Sequence, residues 1–195
     1  MKLNNTKKLS PRSIKSAKVR KRIMEVGYEM IRQNGIDAVG IREIAENAGV
    51  STGTLYYYFK NKEEILWAHA IENSDRFPDC AKKLNPEDTV FNRIVEYCSK
   101  YLADVVMEDG PEIIIWIIQR KQTSEGLSQT ILSLVREGIE SGEFTQEKTP
   151  EELTTFILDC YRGATYAWYR SDGTIDLRRT IREHIGFPLE HFLNR

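Results

Sequence analysis

The chain has 195 residues, with 29 acidic side chains against 28 Lys or Arg, a formal net charge of −1, 41% hydrophobic and 29% charged residues. That mixture excludes a disordered chain and a disulfide framework, and the length supports a core burying roughly 70% of the unfolded surface. The longest uncharged apolar run, Ile113 to Ile118, is far short of the ~20 residues of a spanning helix, so no membrane partner is expected.

The N-terminus is basic with no apolar stretch behind it, which is not the pattern of a secretory signal. Cys80, Cys98 and Cys160 are odd in number and lack C-x-x-C spacing, against both a disulfide framework and a Cys-based zinc site. A reducing cytoplasm is the expected location. The near-zero total charge hides an asymmetry: residues 1–22 carry +9 and no acid, leaving −10 on residues 23–195. Such a segment suits a polyanion, because each neutralised phosphate releases condensed counterions, although a solubilising tail has the same composition.

Ile23, Val26, Gly27, Met30 and Ile31 fall at the i, i+3, i+4, i+7, i+8 spacing of an amphipathic helix, and Gly35 is its natural stop. A second stripe, Ile41, Ile44, Ala45 and Ala48, ends at Gly49. Ser51 caps a third helix, with Val50 placed to staple onto Leu55. In that helix Leu55, Tyr58 and Phe59 share the inward face, while Gly53, Tyr56 and Tyr57 point away and Thr52 and Thr54 flank the N-terminus. Asn61 to Glu64 reads as the cap of a fourth helix.

Two short helices joined by a Gly turn, the second opening at a capped Ser, describe a helix-turn-helix whose second helix enters the major groove N-terminus first. Thr and Tyr hydroxyls bond phosphates or base edges, and Thr methyls meet thymine methyls. Gly53 suits a place where a DNA strand passes close. Arg42 carries the planar fork that reads guanine or grips phosphate, and Lys62 combines a cation with the free N–H groups of a helix start.

The stretch IREIAENAGVSTGTLYYYFKNKEEIL, residues 41–66, resembles the DNA-binding signature of the TetR family of bacterial transcriptional regulators, and the likeness extends back to about Lys18. The resemblance implies DNA contacts from Arg42, Thr52, Gly53, Thr54, Tyr56, Tyr57 and Lys62, with the basic residues Lys18 to Arg22 near phosphates. Val39-Gly40 departs from the family's usual pair of hydroxyl residues before the second helix, which removes one phosphate contact. Gly27-Tyr28 is a second departure, where Ala is commoner at the first position.

Beyond residue 66 the pattern remains helical. Asn85-Pro86 reads as a cap followed by Pro at the first helical position, opening a dense stripe from Val90 to Val106 that Gly110-Pro111 breaks. Ile113 to Ile118, apolar all round, predicts a centrally buried helix. Further helices are predicted over about Leu127 to Ser141, Pro150 to Tyr169, and from near Ile175, the last kinked or interrupted by Gly186-Phe187-Pro188. Between Pro150 and Tyr169 two apolar stripes occur: Leu153, Phe156, Ile157, Cys160, Tyr161, Ala164 and Trp168 on one, and Leu158, Thr165, Tyr169 and Tyr166 on the other. A surface helix needs one apolar face, so two stripes imply a second partner, either more of the same chain or another subunit; with Leu177, Ile181, Ile185, Leu189 and Phe192 of the last helix, this helix could form a two-fold four-helix interface in a homodimer, as the resemblance also implies. Two reading heads on successive major grooves then require a palindromic double-stranded operator.

The resemblance also implies an effector pocket. Tyr97, Tyr101, Trp116, Tyr161 and Trp168, with Trp67 and Phe91, are candidates to enclose a small apolar or aromatic effector, and they serve equally well as ordinary core. Asp159 is explained by a salt bridge with Arg162. The scattered His69, His184 and His191 have no carboxylate at metal-ligand spacing, and no catalytic motif is found, so neither an enzyme, a metal nor a cofactor is expected. The predicted molecule is all-α and TetR-like: a flexible basic arm (1–17), a helix-turn-helix head (18–66) and a helical ligand-binding and dimerisation domain (67–195). Its expected function is a repressor released from its operator by a small molecule. The alternative is a DNA-binding interaction or architectural protein with the same head and no effector.

Overall fold

A computed structural model describes residues 10–72, 76–119 and 125–194, and the chain divides into two compact units between Ile71 and Glu72. The boundary lies beyond the expected residue 66 because the fourth helix continues past Leu66, burying Ala68.

The first unit contains α1 (Pro11–Asn34), α2 (Ile41–Asn47), α3 (Thr52–Tyr58) and α4 (Lys62–Glu72). Residues 11–17, expected in a flexible arm, instead open α1: the Ser10 hydroxyl accepts the Ser13 N–H at 3.2 Å and Pro11 occupies the first helical position. A cap plus a Pro with preset φ favours a helix start here. Residues 1–9 of the expected arm lie outside the described residues. The α1 residues that reach the core are Ile23, Met24, Gly27 and Ile31; Val26 and Met30 of the predicted stripe are half-exposed. A Cβ on Gly27 would lie 2.9 Å from a methyl of Ile65 and 3.3 Å from one of Ile44, so the missing side chain lets α1 approach both α2 and α4.

The second unit contains α5 (Arg76–Ala81), α6 (Val90–Glu96), a π-helical turn (Tyr97–Leu102), α7 (Ala103–Asp109), α8 (Pro111–Gln119), α9 (Glu125–Glu140), α10 (Pro150–Arg170) and α11 (Leu177–Leu189), then a 3₁₀ turn at Glu190–Phe192. No described residue belongs to a named strand, one isolated bridge pairs Phe144 with Leu193, and no described helix is long and apolar enough to cross a membrane. Asn85-Pro86 does not start a helix. The Asn85 side chain accepts the Glu87 N–H in a turn, and α6 begins after Thr89, whose hydroxyl accepts the Asn92 N–H. The Glu143 carboxylate takes the N–H groups of Val90 and Phe91, each at 2.8 Å, and so satisfies donors that an earlier start would have placed inside the helix.

Gly110, at φ +85°, ends α7 as expected. In α8 only Ile113, Ile114 and Ile115 are buried; Trp116, Ile117 and Ile118 are half-exposed, so this helix is not centrally enclosed. Thr149 and Glu152 form a reciprocal capping box ahead of α10. Helix α11 runs through Gly186 and Pro188 to Leu189 and passes directly into the 3₁₀ turn at Glu190. Pro188 sits in the last turn, where the hydrogen bond it forgoes is the one to the exposed His184.

Candidate nucleic-acid interface

Helix α3 is held from behind and left open in front. Leu55 is wholly buried and Phe59 nearly so, with the Arg20 guanidinium 5.1 Å above the Phe59 ring. Tyr58, expected to point inward, is half-buried and its hydroxyl meets the Ser16 hydroxyl at 2.8 Å. The added N-terminal turns of α1 therefore brace α3. Ahead of α3, Gly49 adopts φ +63°, the Val50 N–H reaches back to the Ala45 carbonyl at 3.0 Å, and Arg22 reaches the Gly49 carbonyl at 3.4 Å. A left-handed residue after α2 is what turns the chain, and Gly adopts it without a Cβ penalty.

The sequence candidates fall as follows. Arg42 is exposed in the first turn of α2, whose cap, Gly40, supplies no side-chain bond. Ser51 caps α3 by accepting the Thr54 N–H at 3.1 Å, and its hydroxyl also lies 2.8 Å from the Thr54 hydroxyl. Thr52 and Thr54 are half-buried and Gly53 is exposed; a Cβ on Gly53 would have nothing nearer than the Ser51 hydroxyl at 3.9 Å. No packing among the described residues requires a glycine there. Tyr56 is 53% exposed and Tyr57 78%, the Tyr57 ring meeting Tyr58 edge-on.

Lys62 is placed differently. Its ammonium donates to the Ile36 carbonyl and, at 3.3 Å, to the Val39 carbonyl, binding α4 to the connection between α1 and α2. Sequence reasoning missed this tie, as it missed Ser16 and the intrachain contacts of Arg20 and Arg22, which were expected near phosphates. The available signal was spacing: Arg20 and Ser16 continue the Ile23–Gly27–Ile31 face one and two turns towards the N-terminus. On the same helix Arg12, Lys15 and Lys18 remain exposed.

Residues 23–68 match the family described as bacterial regulatory proteins, tetR family. Its head is a TetR-type DNA-binding domain. It is 26% identical over 167 residues to the fatty acid metabolism regulator protein of Bacillus subtilis, covering 80% of this chain and 86% of that one. To the transcriptional repressor KstR2 of Mycobacterium tuberculosis it is 24% identical over 183 residues, 86% and 89% of the two chains. Among solved structures, Thermus thermophilus FadR in complex with lauroyl-CoA superposes with a TM-score of 0.71 at 20% identity, covering 90% of this chain and 96% of that one. The proteins it matches over most of their length are transcriptional regulators.

Within the second unit the aromatic candidates separate. Tyr97 is fully buried and donates to the Phe77 carbonyl at 3.2 Å. Tyr161 and Trp168 are also buried, and the Tyr161 hydroxyl is 3.5 Å from the Leu102 carbonyl. Tyr101 is half-exposed, donates to the Lys83 carbonyl at 3.2 Å and has Lys83 and Lys100 over its ring; Trp116 is half-exposed on α8. A depression of about 420 Å³ beside α9 is lined by Gln129, Leu132, Ser133, Arg136, Glu137 and Glu140 and includes none of these aromatics. The Arg162–Asp159 pair forms at 2.7 Å as expected.

Of the two partners expected for the second stripe, more of the same chain covers most of it. Leu158 is buried in the chain's own core, Thr165 is buried with its hydroxyl on the Tyr161 carbonyl, and Leu177, Ile181, Ile185, Leu189 and Phe192 are all buried within the unit. The α10 and α11 stripes face each other, because two adjacent amphipathic helices bury their apolar faces against one another first. What stays outside is Tyr166, 48% exposed, and Phe187, 83% exposed, with open space around Gly163.

Proposed function

We propose that the protein is a repressor that binds a palindromic operator as a homodimer and is released by a small apolar effector. The observation that carries the DNA-reading part is the outward face of α3: Gly53, Tyr56 and Tyr57 stand exposed on a capped helix whose inner face is locked by Leu55 and Phe59. Arg42 joins them as a base or phosphate reader, Thr52 and Thr54 supply methyls and hydroxyls at the helix start, and Lys62 acts mainly by holding α4 against the loop before α2. Tyr166 and Phe187 supply the dimer contact. The repressor reading follows the name of KstR2, and the apolar effector follows the lauroyl-CoA bound by Thermus thermophilus FadR. The expected setting is the cytoplasm.

Selection from random duplex DNA with the full chain tests the reading: an enriched palindrome supports it, and salt-sensitive binding with no enriched sequence favours an architectural protein instead. Gly53→Ala separates folding from recognition. It should leave stability unchanged or raise it by up to about 1 kcal/mol through helix propensity, while weakening operator binding roughly tenfold or more by obstructing the DNA strand. Operator titration alongside urea denaturation reads both; unchanged affinity would remove Gly53 from the interface.

Phe187→Glu tests the dimer. An exposed residue should change monomer stability by no more than about 0.5 kcal/mol, yet a buried carboxylate without a partner is costly at an interface. Sedimentation should show monomer, and binding to the palindrome should fall together with it. A dimer that persists with wild-type affinity places the contact elsewhere.

A further inference from the structure

Helix α3 is seven residues long and ends on Phe59 in extended backbone, so it takes its pose from what packs on it rather than from stability of its own. Three side chains of α1 reach this helix or the turn before it. Arg22 meets the Gly49 carbonyl, Arg20 lies over the Phe59 ring, and the half-buried Ser16 meets the Tyr58 hydroxyl at 2.8 Å. Ser16 stands nearest the N-terminus of the three. It is 42 residues from Tyr58 along the chain, in the second turn of a helix that Ser10 caps and Pro11 opens.

What stands on Tyr58 gives this contact its weight. Tyr57 is 78% exposed, and a side chain so exposed ordinarily exchanges rotamers on a fast timescale. Its ring is met edge-on by that of Tyr58, with centroids 4.9 Å apart and planes at 85°, the T-shaped arrangement that aromatic pairs favour. Adjacent residues of a helix diverge by about 100° and do not face each other. The pair therefore closes only with the Tyr58 ring swung towards its neighbour. A ring tied at its far end by a hydroxyl cannot easily leave that rotamer, and Ser16 provides the tie.

We propose that Ser16 is a positioning residue for DNA reading: its hydroxyl holds the Tyr58 phenol, the Tyr58 ring holds the Tyr57 ring, and Tyr57 meets base edges in one orientation. This rests on the reading of α3 as the recognition helix. A ring already in place loses less freedom on binding, and it rejects a wrong sequence around which a mobile ring would re-pack. Discrimination should therefore suffer more than overall grip, which comes from phosphates.

Double-mutant cycles on the full chain test the relay. Selection from random duplex DNA with the wild type supplies the preferred duplex, and a scrambled duplex of the same composition is the comparison. Ser16→Ala and Tyr58→Phe should each cut the preference roughly fivefold, the net worth of one hydrogen bond, with the salt slope unchanged. Together they should lose no more than either alone, and Ser16→Ala should have no effect once Tyr57 is Ala. Ser16→Thr, which keeps the hydroxyl, should retain the preference. Alanine is the better helix former, so unwinding of α1 would not account for the loss. Without DNA, carbon-13 relaxation on tyrosine-labelled protein should show the Tyr57 ring less ordered in Ser16→Ala and Tyr58→Phe, with Tyr56 as in the wild type.

Unchanged Tyr57 order in both variants overturns the relay. A further loss from Tyr58→Phe in the Ser16→Ala protein makes Tyr58 a direct DNA contact and overturns its role as the link. An equal loss from Ser16→Ala with Tyr57 already replaced overturns the route through Tyr57. If the wild type selects no duplex, the sequence-reading function falls and the discriminating role with it, whereas the ring order still decides whether Ser16 holds the two tyrosines.

Discussion

Phe144→Ala is expected to destabilise the second unit by about 3–5 kcal/mol, the range for truncating a buried Phe. The ring is 1% exposed and fills the space left by the absent side chain of Gly138 on α9; a Cβ there would overlap the ring and approach Val90 at 3.2 Å. The backbone is tied at the same place, since the Phe144 N–H donates to the Gly138 carbonyl at 2.9 Å and Phe144 bridges to Leu193. Truncation leaves a cavity that α6, α9 and the C-terminal segment cannot close together, because each is fixed by other contacts. The loss is a large fraction of a typical domain's 5–15 kcal/mol. Gly138→Ala approaches the same joint from the opposite side: overpacking costs about 1–3 kcal/mol, offset by up to about 1 kcal/mol of helix propensity. Urea denaturation at one fixed protein concentration compares both with the wild type, since any self-association would make stability concentration-dependent. A Phe144→Ala midpoint near that of the wild type would show that this joint does not hold the unit together.

Glu143→Ala is expected to cost about 1.5–3 kcal/mol, the scale of hydrogen bonds made by a charged group. The carboxylate accepts two N–H groups at the start of α6, at 2.8 Å each, where the helix dipole also favours a negative charge. The side chain comes from the loop after α9, 52 and 53 residues away along the chain, so it joins two distant parts of the unit. Asn194 reinforces the same loop, its amide donating to the Gly142 carbonyl at 2.7 Å and the Phe144 carbonyl at 3.1 Å. Glu143→Gln retains an acceptor without the charge and should lose about half as much. Exchange of the Val90 and Phe91 amides should rise well above that of the rest of α6 in the Ala variant. Equal protection in all three proteins would show that Thr89 alone is a sufficient cap.

The head was legible because its information is local. Ser51 caps the helix it precedes, Gly49 turns the chain, and Leu55 and Phe59 lie on one face by spacing alone. The same local logic found the helix start at Pro150 and the stop at Gly110. It failed where two local signals compete. Asn85-Pro86 is a good helix start in isolation, yet Thr89 prevails because Glu143 arrives from elsewhere to satisfy the next two N–H groups. Lys62 likewise has the spacing of a phosphate anchor, and only the path of the α1–α2 connection turns its ammonium onto the Ile36 and Val39 carbonyls.

Sequence by itself determined that the chain is helical, that a TetR-type reading helix begins at Ser51, and that Gly53, Tyr56 and Tyr57 form its outward face. Caps, turn glycines and a 3.6-residue period act over a few residues, and so they are written in a few residues. Tertiary structure alone decided which apolar stripes were already covered. Leu158, Thr165 and the α11 stripe read like an unfilled partner face, but α10 and α11 bury one another and leave Tyr166 and Phe187 outside. It also decided that Tyr97 and Tyr101 hold residues 76–84. Helical period shows that a face is apolar; which neighbour covers it depends on packing between residues distant in the chain, and no local spacing encodes that.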